Sequence, residues 1–250
     1  EQFEIFIGKI TNGGILVYNE EDAEVKRVSK EATNPIRKLP YHTPKYTVSN
    51  GVTLLETPEG DMPIEVFGAH NLNNLAGAKW ICQNMGVDEA EFYEAIASFK
   101  GASKRLEKIA ESKTKVAYKD FAHSPSKVAA TTKAVKEQYP NRTLIACLEL
   151  HTYSSLNAAF LKEYEGALEY ADKAVVFYSP DAVKIKKLDE VSYDQIAAAF
   201  NRKDLIIYTN PIEFKDFLFK QDFDNSALLL MSSGNYGGLN FDEVKGLILD

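Results

Sequence analysis

The stretch "VAYKDFAHSPSKVAATTKAVKEQYPNRTLIACLEL" (residues 116–150) decides the fold of the second half of the chain. An apolar run opens it, an amphipathic segment beginning at Pro125 follows, and a second apolar run closes it, which is the pattern of a strand, a helix and a strand. The apolar runs "KAVVFYS", "DLIIYTN" and "ALLLMSS" repeat the pattern, with helices predicted between them, among these 156–170 and 192–201. Apolar strands that alternate with amphipathic helices predict an α/β fold with a mostly parallel, Rossmann-like sheet covered on both faces.

The first hundred residues follow a different pattern, in which short β-rich runs precede two helices. Asn50 and Gly51 lie between two such runs, and an Asn-Gly pair in that position predicts an antiparallel hairpin. A charged stretch over 99–115 then separates this region from the alternating one. We therefore predict two domains, residues 1–100 and residues 101–250.

The composition narrows the class of protein. A chain of 250 residues with 45% hydrophobic and 26% charged residues is typical of a soluble globular protein. Its net charge of -7 disfavours binding to nucleic acid, because no basic excess is available to displace counterions from phosphates. Cys82 and Cys147 lie in apolar sequence and predict buried thiols rather than a disulfide, and no apolar run reaches membrane-spanning length. We expect a cytoplasmic protein with no nucleic-acid or membrane partner, whereas the composition does not predict the oligomeric state.

The segment "FGAHNLNNLAGA" (67–78) crowds side-chain amides at the start of a predicted helix. Asn71 and Asn74 are three residues apart, so both amides project from one side of the helix. Each amide offers a donor beside an acceptor, which matches the N6 and N7 edge of adenine. The alternative is that Asn71 caps the helix and that His70 is a polar surface residue, and asparagine is a common helix cap.

Polar residues also follow the predicted strands of the α/β region, where ligands of such sheets collect. Asp120 is placed to accept from sugar hydroxyls and His123 to contact phosphate or substrate, although Asp120 in a purely structural role would order its turn. Arg105 stands beside the predicted domain boundary, where it is either a solvated surface residue or a phosphate contact made when the domains close. Candidate substrate-binding residues in "LELHTYSSLN" (148–157) and "MSSGNYGG" (231–238) are His151, Thr152, Ser155, Ser233 and Asn235.

Taken in order, these segments resemble motifs of the Mur ligases, the ATP-dependent amide-forming enzymes of peptidoglycan precursor synthesis. "GAHNLNNLAGA" is similar to the family's G-x-H-N-x-x-N-x-x-A-A, "FKGASKRLE" to its F-x-G-x-x-R-R-x-E, and "KDFAHSPSKV" to its D-D-[YF]-[AG]-H-H-P-T. "LELHTYSS" and "MSSGNYGG" occupy the places of two further motifs. The resemblance implies that residues 1–100 are the C-terminal part of a central ATPase domain and that residues 101–250 are the C-terminal ligase domain.

The resemblance also implies roles for particular residues, with ATP and Mg²⁺ as cofactors. The phosphate loop of the family, and the residues that hold its metal, lie upstream of anything in this chain, so no metal ligand is assigned here and the chain by itself is expected to lack turnover. The implied adenine, ribose and phosphate contacts are His70, Asn71, Asn74, Arg105 and Asp120, and the implied catalytic residues are Arg105 and His123.

The implied reaction joins an amine to UDP-N-acetylmuramate through an acyl phosphate. "DFAH" and "RLE" are more similar to the ligase that recycles the L-alanyl-γ-D-glutamyl-meso-diaminopimelate tripeptide, whereas His151 matches the L-alanine-adding ligase. Thr152 and Ser155 replace two arginines of the latter, and Lys119 and Ser124 depart from the family's D-D and H-H pairs. A folylpolyglutamate synthetase-like enzyme and a non-catalytic nucleotide-binding module remain alternatives.

Overall fold

A computed structural model describes residues 1–189 and 191–249, which form two compact units, Glu1–Lys100 and Gly101–Asp250. The elements of the first unit, in chain order, are α1 (Gln2–Gly8), β1 (Ile15–Asn19), α2 (Ala23–Glu31), β2 (Arg37–Tyr41), β3 (Tyr46–Ser49), β4 (Val52–Thr57), β5 (Gly60–Ile64), α3 (Ala69–Asn84) and α4 (Glu89–Ala97).

The first unit contains two small sheets. Strands β1 and β2 pair in parallel, and Ile7, Leu16 and Val28 form the core that α1 and α2 share with β1. Strands β3, β4 and β5 form an antiparallel meander whose buried face packs on α3 and α4. The predicted hairpin is confirmed: Asn50 and Gly51 join β3 to β4 with φ angles of 51° and 77°, which are the left-handed values of a tight two-residue turn.

The second unit carries the alternating elements. In chain order they are β6 (Glu107–Glu111), β7 (Lys115–Asp120), α5 (Pro125–Gln138), β8 (Thr143–Leu150), α6 (Ala158–Leu161), a 3₁₀ turn (Lys162–Tyr164), β9 (Lys173–Tyr178), α7 (Pro180–Ile185), α8 (Tyr193–Phe200), β10 (Ile206–Tyr208), α9 (Pro211–Phe219), β11 (Ser226–Met231) and α10 (Phe241–Leu249).

These strands form one six-stranded sheet in the order β10-β9-β8-β11-β7-β6. All neighbours are parallel except β6 and β7, which are antiparallel, so the predicted mostly parallel α/β fold is confirmed. The last strand, β11, lies between β7 and β8, and all six of its residues are buried. Burying a leucine side chain stabilises the folded state by about 2 kcal/mol relative to exposure. Because the leucines of "SALLLM" point to both faces, this strand is suited to the centre of a sheet that is covered on both sides.

One prediction in this unit was wrong. The helix predicted over 156–170 is only the short α6 and one 3₁₀ turn, because "NAAFLKEYEGALEY" contains a glycine that adopts a left-handed φ of 73° at Gly166 and interrupts the helical pattern. The charged stretch over 99–115, to which no element was assigned, contains the edge strand β6, and its charged residues are typical of a sheet edge.

The described helices include none with both the length and the apolar character needed to cross a bilayer. Cys147 is buried, Cys82 is partly buried, and both are free thiols. Burial raises the pKa of the Cys147 thiol, so this side chain is a protonated part of the core.

Candidate functional site

In the first unit, the polar cluster begins at the N-terminus of α3. Gly68 is the residue before the helix, with a φ of 86°, and no side chain caps the helix. The Asn71 amide nitrogen donates to the Phe67 carbonyl at 2.9 Å. The capping interpretation of Asn71 is therefore wrong, because its side chain donates to a carbonyl behind it instead of accepting from a free backbone N–H.

Asn71 and Asn74 lie one helical turn apart, but their surroundings differ. Asn71 is partly buried and hydrogen-bonded, and His70 beside it is also partly buried. Asn74 is exposed, and its amide has no hydrogen-bond partner within the ranges 1–189 and 191–249. The amide of Asn74 is thus available to a ligand.

Asn73, which the sequence prediction left without a role, explains why so many amides occur here. It is buried, and its amide nitrogen lies 2.9 Å from Glu21 Oε2 and 3.2 Å from Thr43 Oγ1. Glu21 follows β1, and Thr43 follows β2. Asn73 therefore fixes the start of α3 to the carboxyl ends of both parallel strands.

In the second unit, polar side chains collect at the carboxyl ends of β7, β8 and β11, as expected for parallel strands. Asp120 ends β7, and its two carboxylate oxygens accept from the Leu106 amide at 2.7 Å and the Ala122 amide at 2.6 Å. Its main-chain carbonyl accepts from the Ser232 amide at 2.9 Å. Asp120 thus orders the turn, and through Leu106 it holds the loop that carries Arg105, which is exposed.

His123 is held just beyond the same strand. Its Nδ1 lies 2.8 Å from the Phe121 carbonyl, which can only accept, so Nδ1 carries the proton and Nε2 is left as an acceptor. The Tyr164 hydroxyl donates to the His123 carbonyl, and burial raises the pKa of Tyr164 to about 12. Tyr164 is therefore a permanent donor that anchors the main chain at His123.

Glu149, one residue before the end of β8, is the functional candidate that the sequence prediction missed. Its side chain is only 3% exposed, and its Oε2 accepts from the Ser232 hydroxyl and from the Tyr236 amide at 2.8 Å. The Nδ1 atom of His151 lies 3.5 Å from Oε1. The sequence feature that could have identified Glu149 is its position as the single carboxylate in the apolar run "TLIACLEL". A charge buried in a core strand needs partners, so such a residue indicates a polar cluster.

His151 and its neighbours form the turn after β8. The His151 side chain is 40% exposed. Ser155 is only 1% exposed, and its hydroxyl lies 2.9 Å from both the main-chain nitrogen and the hydroxyl oxygen of Thr152. Ser155 therefore acts inside the turn, while His151 and the more accessible Thr152 face its surface.

The loop 232–238 packs directly on Glu149 and His151. A Cβ atom on Gly234 would lie 2.8 Å from Glu149 Oε2 and 3.0 Å from His151 Nδ1, so a larger residue cannot enter without displacing them. Tyr236 anchors this loop in the core, where its ring stacks on Phe214 at a centroid distance of 4.9 Å. Burial raises the pKa of the Tyr236 phenol well above its ordinary value.

The other predicted residues of this loop are more accessible. Ser233 is partly buried, and Asn235 is exposed with its side-chain oxygen 3.2 Å from the Gly238 amide. Ser233 and Asn235 belong to the same loop as Ser232, whose hydroxyl donates to the Glu149 carboxylate. In residues 1–189 and 191–249, no group of His, Cys, Asp and Glu is placed to hold a metal ion.

The curated relatives of this chain include several UDP-N-acetylmuramate–L-alanine ligases. The chain is 28% identical to the UDP-N-acetylmuramate–L-alanine ligase of Caldicellulosiruptor bescii over 186 residues, covering 70% of this chain and 40% of that protein. No family model matches the chain. The chain thus spans about 40% of the length of this curated relative.

Solved structures share the fold. The UDP-N-acetylmuramate–alanine ligase of Thermotoga maritima has a TM-score of 0.63 at 17% identity, over 94% of this chain and 50% of its own. The murein peptide ligase of Psychrobacter arcticus has a TM-score of 0.62 at 16% identity, over 99% and 54%. The folylpolyglutamate synthase of Mycobacterium tuberculosis, solved with ADP and AMPPCP, has a TM-score of 0.62 at 14% identity, over 92% and 56%. The resemblance to the Mur ligases is therefore confirmed, and the proteins that this chain resembles are enzymes.

Proposed function

We propose that this chain is the C-terminal portion of an ATP-dependent Mur-type ligase that joins an amine to UDP-N-acetylmuramate. Residues 1–100 would be the last part of its central ATPase domain, and residues 101–250 its amine-binding domain. The observation that carries the proposal is the polar edge of the second unit, where segments far apart in the chain bring Glu149, His151 and Ser232 together. The relationship to the alanine-adding ligases supports the same conclusion.

The reaction proposed for the complete enzyme has two steps. A substrate carboxylate oxygen bonds to the γ-phosphorus of ATP and ADP leaves, and the incoming amine nitrogen then bonds to the acyl carbon as phosphate departs. Charge develops on oxygen in both steps, and Arg105, an exposed cation beside the turn of Asp120, is suited to offset it. Because no metal-holding group occurs among the described residues, no step is assigned to Mg²⁺ in this chain.

We infer that the amine is the tripeptide rather than free L-alanine. Free alanine carries a carboxylate next to its amine, and a pocket for it needs a cation. In the tripeptide, the carbonyl next to that amine belongs to an amide and carries no charge. Thr152 and Ser155 stand where the alanine-adding motif has arginines, and they bond each other in the turn beside the Glu149 carboxylate. The turn thus offers no cation at these two positions, which favours a neutral carbonyl over a carboxylate.

An amine panel on the full-length gene product tests the proposal. In the presence of ATP, Mg²⁺ and UDP-N-acetylmuramate, the enzyme should release phosphate at least ten times faster with the tripeptide than with L-alanine. A lost charge contact of about 1.4 kcal/mol produces this ratio. Faster release with L-alanine would contradict the tripeptide assignment. Phosphate release only with a folate and glutamate would indicate a folylpolyglutamate synthetase-like enzyme, and nucleotide binding without release under any amine would indicate a non-catalytic module.

The adenine contact is proposed separately, from the exposed amide of Asn74. Replacing Asn74 by Ala should weaken ADP binding by the full-length protein about tenfold, because a bidentate amide contact to a base is worth about 1–3 kcal/mol. Asn84→Ala at the other end of α3 is the matched control, since its amide bonds the Trp80 carbonyl at 2.7 Å and lies away from the helix start. Equal ADP affinities of the two variants, measured by calorimetry, would contradict the adenine assignment.

A further inference from the structure

The buried carboxylate of Glu149 connects the loop after β11 to His151. Its Oε2 is saturated by the loop after β11, because it accepts from the Tyr236 amide at 2.8 Å and from the Ser232 hydroxyl. The direction of the second bond is determined by Gly234, whose amide donates to Ser232 Oγ at 2.7 Å and leaves the hydroxyl hydrogen for the carboxylate. Two donors thus meet at Oε2, and Oε1 is directed to His151.

The contact between Oε1 and His151 determines what the imidazole can present to a ligand. Nδ1 lies 3.5 Å from a carboxylate oxygen that has only lone pairs, and two acceptors facing each other would repel. The negative carboxylate therefore favours a proton on Nδ1, and in the neutral ring the free lone pair is then on Nε2. A Cβ atom on Gly234 would meet the ring at Cγ and Nδ1, and the His151 side chain as a whole is 40% exposed.

We propose that Glu149 is a positioning residue that holds His151 in the Nδ1–H form, so that the Nε2 lone pair accepts a proton from the incoming amine. The step balances: the N–H bond of the ammonium group breaks, an Nε2–H bond forms, and the nitrogen lone pair becomes free to attack the acyl carbon. The assignment of the amine rests on the proposed function, whereas the form of His151 does not.

The loop after β11 makes one substitution especially informative. In Glu149→Gln, the amide oxygen is drawn to the two donors from Ser232 and Tyr236, so the amide NH₂ faces His151. The imidazole must then accept at Nδ1, and its proton moves to Nε2. The isosteric change should therefore invert the His151 tautomer and move the ring lone pair from Nε2 to Nδ1.

Nitrogen-15 NMR of the histidine side chains in this chain tests the positioning step at a pH of about 8.5, where an ordinary imidazole is neutral. The chain has four histidines, and His151→Gln identifies the signal to follow. We expect the Nδ1–H form of His151 in the wild type and in the control Glu137→Gln, a partly exposed glutamate of α5 paired with Lys133, and the Nε2–H form in Glu149→Gln. An Nε2–H form in the wild type overturns the proposal, even if Glu149→Gln fails to fold.

Kinetics of the full-length gene product test the link to the amine. We expect Glu149→Gln to lower kcat/KM for the amine about tenfold or more while leaving the KM for ATP unchanged, since a positioned base contributes about 10²- to 10⁴-fold. His151→Gln should do the same, and the double variant should lose no more than either single one. If the loss of kcat/KM in the double variant is the product of the two single losses, the role of Glu149 is overturned. A rise in the KM for ATP of similar size overturns it as well. A wild type that turns over no amine refutes the proposed function instead, and the NMR result is independent of it.

Discussion

Adding one methyl group at Gly234 tests the packing of the candidate site more directly than any polar substitution. The new Cβ in Gly234→Ala would lie 2.8 Å from Glu149 Oε2 and 3.0 Å from both Cγ and Nδ1 of His151. These distances are roughly 0.5–1 Å shorter than ordinary carbon contacts. Glu149 cannot retreat, because the Tyr236 amide and the Ser232 hydroxyl hold the same oxygen.

The expected cost follows from this lack of freedom. An extra methyl in a well-packed site costs about 1–3 kcal/mol, and the fixed carboxylate places Gly234→Ala near the middle, at about 2 kcal/mol. With a urea dependence of about 2 kcal/mol per molar, the unfolding midpoint of the second unit should fall by about 1 M. Far-UV circular dichroism in urea measures this midpoint.

Gly246→Ala is a matched control within the same unit. Gly246 lies inside α10, and a Cβ there would meet no atom within 4 Å. Alanine is a better helix former than glycine by about 1 kcal/mol, so this variant should raise the midpoint by about 0.5 M. The fluorescence of Trp80, the single tryptophan, reports on the first unit and should not change in either variant. An unchanged or raised midpoint for Gly234→Ala would refute the close packing of the loop on Glu149 and His151.

Three further predictions concern the scaffold. Tyr236→Phe removes a buried hydroxyl within 2.8 Å of two main-chain carbonyls, and it should lower the free energy of unfolding by about 1–3 kcal/mol in urea titrations, whereas no loss would mean that the hydroxyl is dispensable. Asn73→Ala breaks the link to Glu21 and should destabilise the first unit by about 1–2 kcal/mol, which the fluorescence of the single tryptophan would record as a lower urea midpoint. Burial raises the pKa of Asp172, but the hydrogen bonds from Lys136 and a main-chain amide outweigh it and hold that pKa below its ordinary value. The stability from Asp172 is therefore present above its unfolded-state pKa of about 3.9. It is lost as the pH falls through the lower folded-state pKa. On acidification from about pH 6 to pH 3, Asp172→Asn should therefore lose less stability than the wild type.

The sequence alone was enough to predict the class of fold. Apolar runs such as "TLIACLEL" and "ALLLMSS" can only be satisfied by burial on both faces, which in a chain that alternates with helices means a parallel sheet. The Asn50-Gly51 turn was predictable for a similar reason, because its backbone conformation is a local property of those two residues. The same alternation placed His151 and the 231–238 loop at the carboxyl ends of strands.

Only the tertiary structure decided which of those strand ends meet. Strand order is a long-range property, and nothing local to "SALLLM" requires that the last strand lie between β7 and β8. That order brings Ser232 to Glu149, which lies 83 residues earlier in the chain, and gives the buried carboxylate its partners. The same holds for Asn73. In sequence it cannot be distinguished from Asn71 and Asn74, and its different role comes from Glu21, which only the fold brings next to its amide. The residue type determines the chemistry of a side chain, but its role here depends on contacts that form only when distant segments pack together.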